Sequence, residues 1–127
     1  FISCQDSTND KFIVHSNGNV LSRTDSYGGI SDERLKDNIV DGTSKLDDLN
    51  KVRIVNYNLK DEPDEKQLGV VAQELQKIFP KMVYEHGEDK HLAVKYSIFV
   101  PMLVKAVQEL SNKNDALETR IAELENA

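Results

Sequence analysis

The clearest hydrophobic pattern lies in the last third of the chain. Leu103, Leu110, Leu117 and Leu124 recur every seven residues, and Val107, Asn114 and Ile121 recur every seven, four places after each leucine. These are the d and a positions of a coiled coil. The flanking positions agree. Lys113 and Arg120 fall at g, and Glu118 and Glu125 fall at the e positions five residues on. In a parallel assembly each g residue faces such an e residue of its neighbour, so both pairs are opposite in charge. A lone helix of this length is marginal in water. The pattern therefore predicts a parallel homo-oligomer. Asn114 at an a position leans toward a dimer. A helix folded back on its own domain is the competing reading, and it leaves the charge pairing accidental.

Two other textures precede this helix. In residues 1–27, "KFIVH" and "NVLSR" flank Asn17-Gly18, the signal of a tight hairpin turn. Too few apolar residues occur there for a private core, so this segment should pack on a stalk or on neighbouring subunits. Residues 31–95 are mixed. Val52 to Leu59 reads as a strand, with Val55, Tyr57 and Leu59 on its more apolar parity. "DEPDEK" reads as a polar loop. "QLGVVAQELQKIFPKMV" has a helical period, with Val71, Leu75, Ile78 and Phe79 on one face and Pro80 ending it. "VYEHGEDKHLAVKY" reads as a second hairpin with its loop at "EHGEDKH". The fold class that follows is α+β: a short β-hairpin stalk end, a small mixed α/β core, and a long C-terminal helix in a parallel coiled coil.

Composition narrows the functions. The 127 residues suit one modest domain, and the absence of an initial Met suggests a fragment or a processed product. A net charge of −6 argues against a nucleic-acid or anionic-membrane surface. No apolar run approaches the roughly 20 residues that span a bilayer, and no signal peptide is visible. One cysteine, Cys4, excludes an internal disulfide framework and fits a reducing compartment. His15, His86 and His91 show no metal-ligand spacing, so neither a metal nor another cofactor is expected. No phosphate-binding glycine loop or pocket-forming motif suggests an enzyme acting on other molecules.

The candidate chemistry sits in "GGISDERLKDNIVDG", residues 28–42. Two readings of Ser31 compete. In one, Ser31 caps a short helix whose first turn holds Asp32 and Glu33. The capping box fails, because Arg34 stands where Glu or Gln is wanted. In the other, Ser31 and Lys36 form a dyad. A lysine amine of ordinary pKa, about 10.4, is neutral in roughly one molecule in 2,500 at pH 7. Burial that lowers the value by about three units costs about 4 kcal/mol and leaves an amine able to take a hydroxyl proton. The Ser31 side chain can reach the Ile30 carbonyl carbon through a five-membered ring, which would break the Ile30–Ser31 bond. Gly28 and Gly29 would tolerate the backbone distortion of that attack. A spacing of five puts two residues about 140° apart on a helix. Ser31 should therefore lie in extended or turn backbone, with Lys36 reaching back from the start of a helix. Asp32, Glu33 and Arg34 are candidate orienting groups, with plain surface charge as the alternative role.

Three blocks, "SDERLKDNI", "GVVAQELQKIFP" and "VKYSIFVPMLVKAVQEL", occur in this order and resemble the C-terminal intramolecular chaperone domain of phage tailspikes and tail fibres. This is the endosialidase-type chaperone family, classed as self-cleaving serine peptidases. The resemblance covers about residues 31–112. It implies a homotrimer, against the dimer hint of Asn114, with Leu103, Val107, Leu110, Asn114, Leu117, Ile121 and Leu124 in the trimer interface. It also implies Ser31 and Lys36 as the catalytic dyad and a cut between Ile30 and Ser31. On this reading residues 1–30 end an upstream β-rich fibre, which the domain helps to fold. Residues 31–127 are the chaperone, with a mixed core over 31–95 and the long helix over 96–127. Assembly would take place in the host cytoplasm. The upstream part would stay in the virion tail, and the chaperone would leave after cleavage. In the central block, Gly69 and Ala72 read as close-packing positions. Gln73 and Glu74 are either hydrogen-bonding groups near the scissile loop or solvated helix positions. A permanent, uncut trimeric cap is the alternative function. A receptor-binding tip using the two polar loops ranks below it, because few aromatics are present to stack on sugars.

Overall fold

The computed structural model describes residues 2–127. The chain divides into two compact units, Phe1–Val40 and Asp41–Ala127. By contacts, the segment holding Ser31 and Lys36 groups with the hairpin unit, while the expected functional boundary lies at the Ile30–Ser31 bond.

The first unit is built on a three-stranded antiparallel sheet, β1 (Ile2–Gln5), β2 (Asp10–Val14) and β3 (Val20–Ser22). The expected hairpin forms at Asn17-Gly18, with Phe12 opposite Ser22 and Val14 opposite Val20. Gly18 takes φ +88°, which a side chain would resist. Asn17 contributes differently, its carboxamide oxygen accepting from the Asn19 amide at 3.1 Å. The additional strand, β1, pairs with β2, and a bulge separates Cys4 from Gln5. Among the described residues of this unit none is fully buried, in keeping with the expected lack of a private core.

The second unit carries the mixed core. Strand β4 (Val55–Leu59) pairs with β5 (Glu62–Gly69), so Val55 lies opposite Gly69 and Tyr57 opposite Gln67. This corrects two expectations. "DEPDEK" is not a loop: from Glu62 on it is strand. The helix expected from about residue 67 up to Pro80 shrinks to α2 (Ala72–Gln76). The physical reason is that ladder pairing with β4 takes the backbone groups of residues 67–69, overriding the local helical period. Pro80 does not merely stop that helix. It opens a separate 3-10 turn, Pro80–Met82, as a first-turn proline. The second hairpin forms from β6 (Val83–His86) and β7 (His91–Val94) with a shorter loop than read, since Glu85, His86 and His91 pair in the strands, and Gly87 takes φ +73° in that loop.

Leu75, Met82 and Val83 form the core, and Val52, Val70, Phe79, Leu92 and Phe99 pack around them. Gly69 is buried, and a Cβ there would lie 2.7 Å from the Tyr96 hydroxyl. That hydroxyl accepts from the Val70 amide at 3.3 Å. Glycine therefore lets Tyr96 close over the end of β5, as the close-packing reading expects. Ala72 also packs against the core.

The long helix α3 runs from Phe99 to Glu125. Its first half docks on the domain through Ala106, which is buried. The short helix α1 (Leu46–Leu49) lies against it and has no local side-chain cap. Glu109 of α3 supplies one instead. Its carboxylate accepts from the Ser44 hydroxyl and from the amides of Lys45 (2.9 Å) and Leu46 (3.0 Å). The Ser44 hydroxyl first, and then the Lys45 amide, hold the Glu109 carboxyl below the usual glutamate range. A carboxyl lowered in the folded state stabilises the fold above its unfolded value and loses that contribution as pH falls through the folded value. Glu109→Gln is therefore expected to lower the melting temperature at pH 7. The gap to wild type should narrow as pH falls below the usual glutamate range and through the folded value, where both side chains become uncharged. Thermal melts across that range check this, and a gap that stays constant with pH would refute it.

Candidate active site

Sequence imposes a short reversal just after the glycines. Residues 28–32 are irregular, and a single 3-10 turn follows at Glu33–Leu35. Its N-cap is Asp32, not Ser31. The Asp32 carboxylate accepts from the Arg34 amide at 2.9 Å. Aspartate caps as well as serine, and one residue's difference in register frees the serine. This excludes the capping reading of Ser31 in this fold.

The Ser31 hydroxyl has another partner. The Lys36 ammonium donates to Ser31 Oγ at 2.5 Å. Lys36 follows the 3-10 turn, with its own amide donating to Glu33 O at 3.0 Å and extended backbone at φ −126°, ψ 142°. The expected direction of approach is thus amended: Lys36 reaches back from the end of a turn rather than from the start of a helix. One tight turn suffices, because it folds the chain between the two residues back on itself. Asn38, two residues further, takes φ +54° and redirects the chain. Asn tolerates that region better than most residues, and its place in "KDNI" was the signal available.

Asp32 and Arg34 pair with each other. Arg34 Nε donates at 3.0 and 3.1 Å, and Nη2 at 2.6 Å, to the Asp32 carboxylate. Arg34 therefore holds the Asp32 carboxyl below its usual range, and Asp32 raises the guanidinium. Asp32 shapes the turn, while Lys36 faces the serine. Glu33 is exposed in the first turn. Gly28 and Gly29 adopt no left-handed φ, and a Cβ at either would meet nothing within 4 Å. The backbone distortion expected of them is not present in this conformation.

Ser31 and Lys36 are both exposed in the single chain. Apolar side chains surround them in sequence and are exposed too: Ile30 at 88 %, Leu35 at 74 % and Val40 at 83 %. Gln73 and Glu74 lie in the other compact unit, on α2. Glu74 accepts from Arg53 Nη1 at 2.9 Å, and Gln73 is exposed. The expected interface residues all lie on α3, and Lys113 of the same helix, assigned to a g position, approaches Asp47 of its own chain at 3.7 Å. From Leu110 to the C-terminus every residue is exposed.

The chain is similar to fibre proteins of phages. It is 36 % identical over 108 residues to a "Probable tail fiber protein" of Escherichia phage Phieco32, covering 77 % of this chain and 14 % of that protein. It is 34 % identical over 98 residues to the "Long tail fiber protein Gp37" of Enterobacteria phages K3 and T2, covering 72 % of this chain and 8 % and 7 % of those proteins. The chain thus spans a small part of the length of the relatives it matches. Residues 31–84 match the family model Peptidase_S74, described as "Chaperone of endosialidase". Together these support a C-terminal chaperone domain of phage fibre proteins. Residues 31–84 of this chain belong to the chaperone of endosialidase family. The match begins at Ser31.

Proposed function

We propose that this domain is an intramolecular chaperone that assembles three chains, guides the folding of an upstream fibre, and then cuts itself free between Ile30 and Ser31. The observation that carries the cut is the Lys36 contact on Ser31 Oγ, one residue past the scissile carbonyl. The fibre role rests on the relatives' names and on the family match.

The chemistry uses this chain's own groups. With its amine neutral, Lys36 accepts the proton of the Ser31 hydroxyl, reversing the hydrogen bond seen here. Oγ attacks the Ile30 carbonyl carbon and closes a five-membered ring. The tetrahedral centre collapses as the C–N bond breaks, and the Lys36 ammonium returns the proton to the Ser31 nitrogen. Ile30 is then esterified to Ser31 Oγ. Water hydrolyses the ester, leaving Ile30 with a carboxylate and Ser31 with a free amine. Each chain turns over once. Loss of the folding aid leaves the fibre unable to retrace its path, a kinetic lock.

The exposed apolar groups beside the dyad give assembly a role. Packing that covers Ile30, Leu35 and Val40 would also take Lys36 out of water, which favours its neutral form. Cutting would then follow assembly rather than precede it. The setting is the host cytoplasm during virion assembly, with the fibre retained in the particle and the chaperone released.

Intact mass spectrometry of the chain with a longer upstream segment tests this. The expected product is a fragment whose first residue is Ser31. Chains that stay whole after trimers form would instead favour a permanent trimeric cap, for which the exposed α3 stripe is equally suited.

A further inference from the structure

One apolar groove lies in the second unit, beside the N-terminal half of α3. It measures about 450 Å³. Leu68 comes from β5 and Ile54 from the residue just before β4, Leu49 from α1, and Phe99, Leu103 and Ala106 from α3. Among the described residues no charged side chain lines it, in a chain that is 30 % charged. Ile54 and Leu68 are 60 % and 69 % exposed. A second apolar patch lies on another side of the same stretch of helix, made by Val100, Leu103, Val104 and Val107 with Gln108.

The heptad count says how these surfaces are related. Counting back from Lys113 at g places Ala106 and Phe99 at g. Counting back from Glu118 at e places Val104 at e. The groove therefore lies on the g side of α3, while the patch runs from the a and d seam (Val100, Leu103, Val107) out to Val104 on the e side. In a parallel coiled coil the g side of one helix meets the e side of the next, five residues on. The partner of Phe99 is then Val104 of the neighbour. Further along, the same positions hold Lys113 and Arg120 against Glu118 and Glu125. At the level of the groove the charged pairs give way to Ala106 against Ser111 and then to the apolar Phe99 against Val104.

We propose that the Val104 patch of each chain seats in the Phe99–Ile54–Leu68 groove of the next copy. Each chain then gives one surface and receives a different one. Such a head-to-tail contact closes a ring when the rotation allows, and three copies about one helical seam supply that rotation. The groove makes the folded domain, and not the helix alone, part of the trimer contact. This rests on the trimer reading above, and the test separates the two.

A photoreactive benzophenone residue replaces Val104, which is 55 % exposed and free to accept it. Chains labelled with ¹⁴N and ¹⁵N are co-refolded, sized by sedimentation and then illuminated. Trimers are expected to yield mixed-isotope adducts that map to the neighbour's β4–β5 hairpin or Phe99. Trimers with adducts only within one chain, or only onto the neighbour's own Val104 patch, overturn the groove contact and leave the trimer standing. Monomers at the sizing step overturn the trimer reading and the groove contact with it. As a second measurement, Val104→Asp buries a charge in the groove and should raise the concentration at which trimers form by about tenfold or more. Gln108→Asp, at the patch's rim, should not. Equal behaviour of the two variants also refutes the proposal.

Discussion

Ser31→Ala is expected to remain uncut while trimer formation and thermal unfolding stay as in wild type. The substitution deletes the attacking oxygen, so the rate should fall on the order of 10⁴-fold or more, as for serine hydrolases that lose their nucleophile. Stability should hold because Asp32, not Ser31, caps the 3-10 turn. A serine acting as N-cap would show the opposite pattern: a loss of about 0.5–2 kcal/mol on replacement by alanine, with cutting untouched. Lys36 separates base from mere charge. Lys36→Arg keeps the cation but presents a guanidinium that proteins do not deprotonate, so it should be as inert as Lys36→Met. Cutting by Lys36→Arg would leave the lysine with an orienting role only. In wild type the observed contact has the ammonium donating to Ser31 Oγ, so that proton must leave before the amine can act. The rate should therefore rise with pH between about 6 and 9. A flat profile over that range would count against lysine as the base. Time courses on intact mass, run beside sedimentation, read both properties from one sample.

The second large effect concerns α3. Leu117→Asp is expected to convert trimers to monomers and to melt the helix beyond its docked half. Leu117 and Ile121 are 60 % and 54 % exposed in the single chain, and no residue from Leu110 onward is covered. Such a segment, about 24 Å of helix at 1.5 Å per residue, does not hold a helix in water unaided. In the proposed coiled coil its stability would come from neighbours packing on the a and d stripe. Truncating one core leucine costs about 2–5 kcal/mol. A trimer would suffer this three times and would also bury three carboxylates around one axis. Sedimentation and far-UV circular dichroism read the result. Loss of cutting in the same variant would link catalysis to assembly. A Leu117→Asp trimer of unchanged helicity would sink the coiled-coil assignment.

Sequence alone determined what depends on short-range repetition. The seven-residue spacing from Leu103 to Leu124 was enough to place α3, because a helix presents every seventh residue on nearly the same face. Asn17-Gly18 placed the first hairpin because the flanking strands needed only a residue that accepts positive φ. Ser31 and Lys36 could be named as a pair, and the match of residues 31–84 to the family begins at that serine. Tertiary structure decided whatever depended on distant partners. The helical period around Val71 and Leu75 read as a long helix, yet residues up to Gly69 went to β5, because backbone pairing with β4 outweighs a local preference. The cap on α1 was illegible, since it comes from Glu109, more than 60 residues downstream. The direction of Lys36 was likewise beyond a count of residues. A spacing of five puts two side chains on different faces of an α-helix, and a 3-10 turn capped by Asp32 brings them together. Local periodicity is written in neighbouring residues, while caps, strand partners and side-chain approach are set by which segments meet when the chain closes.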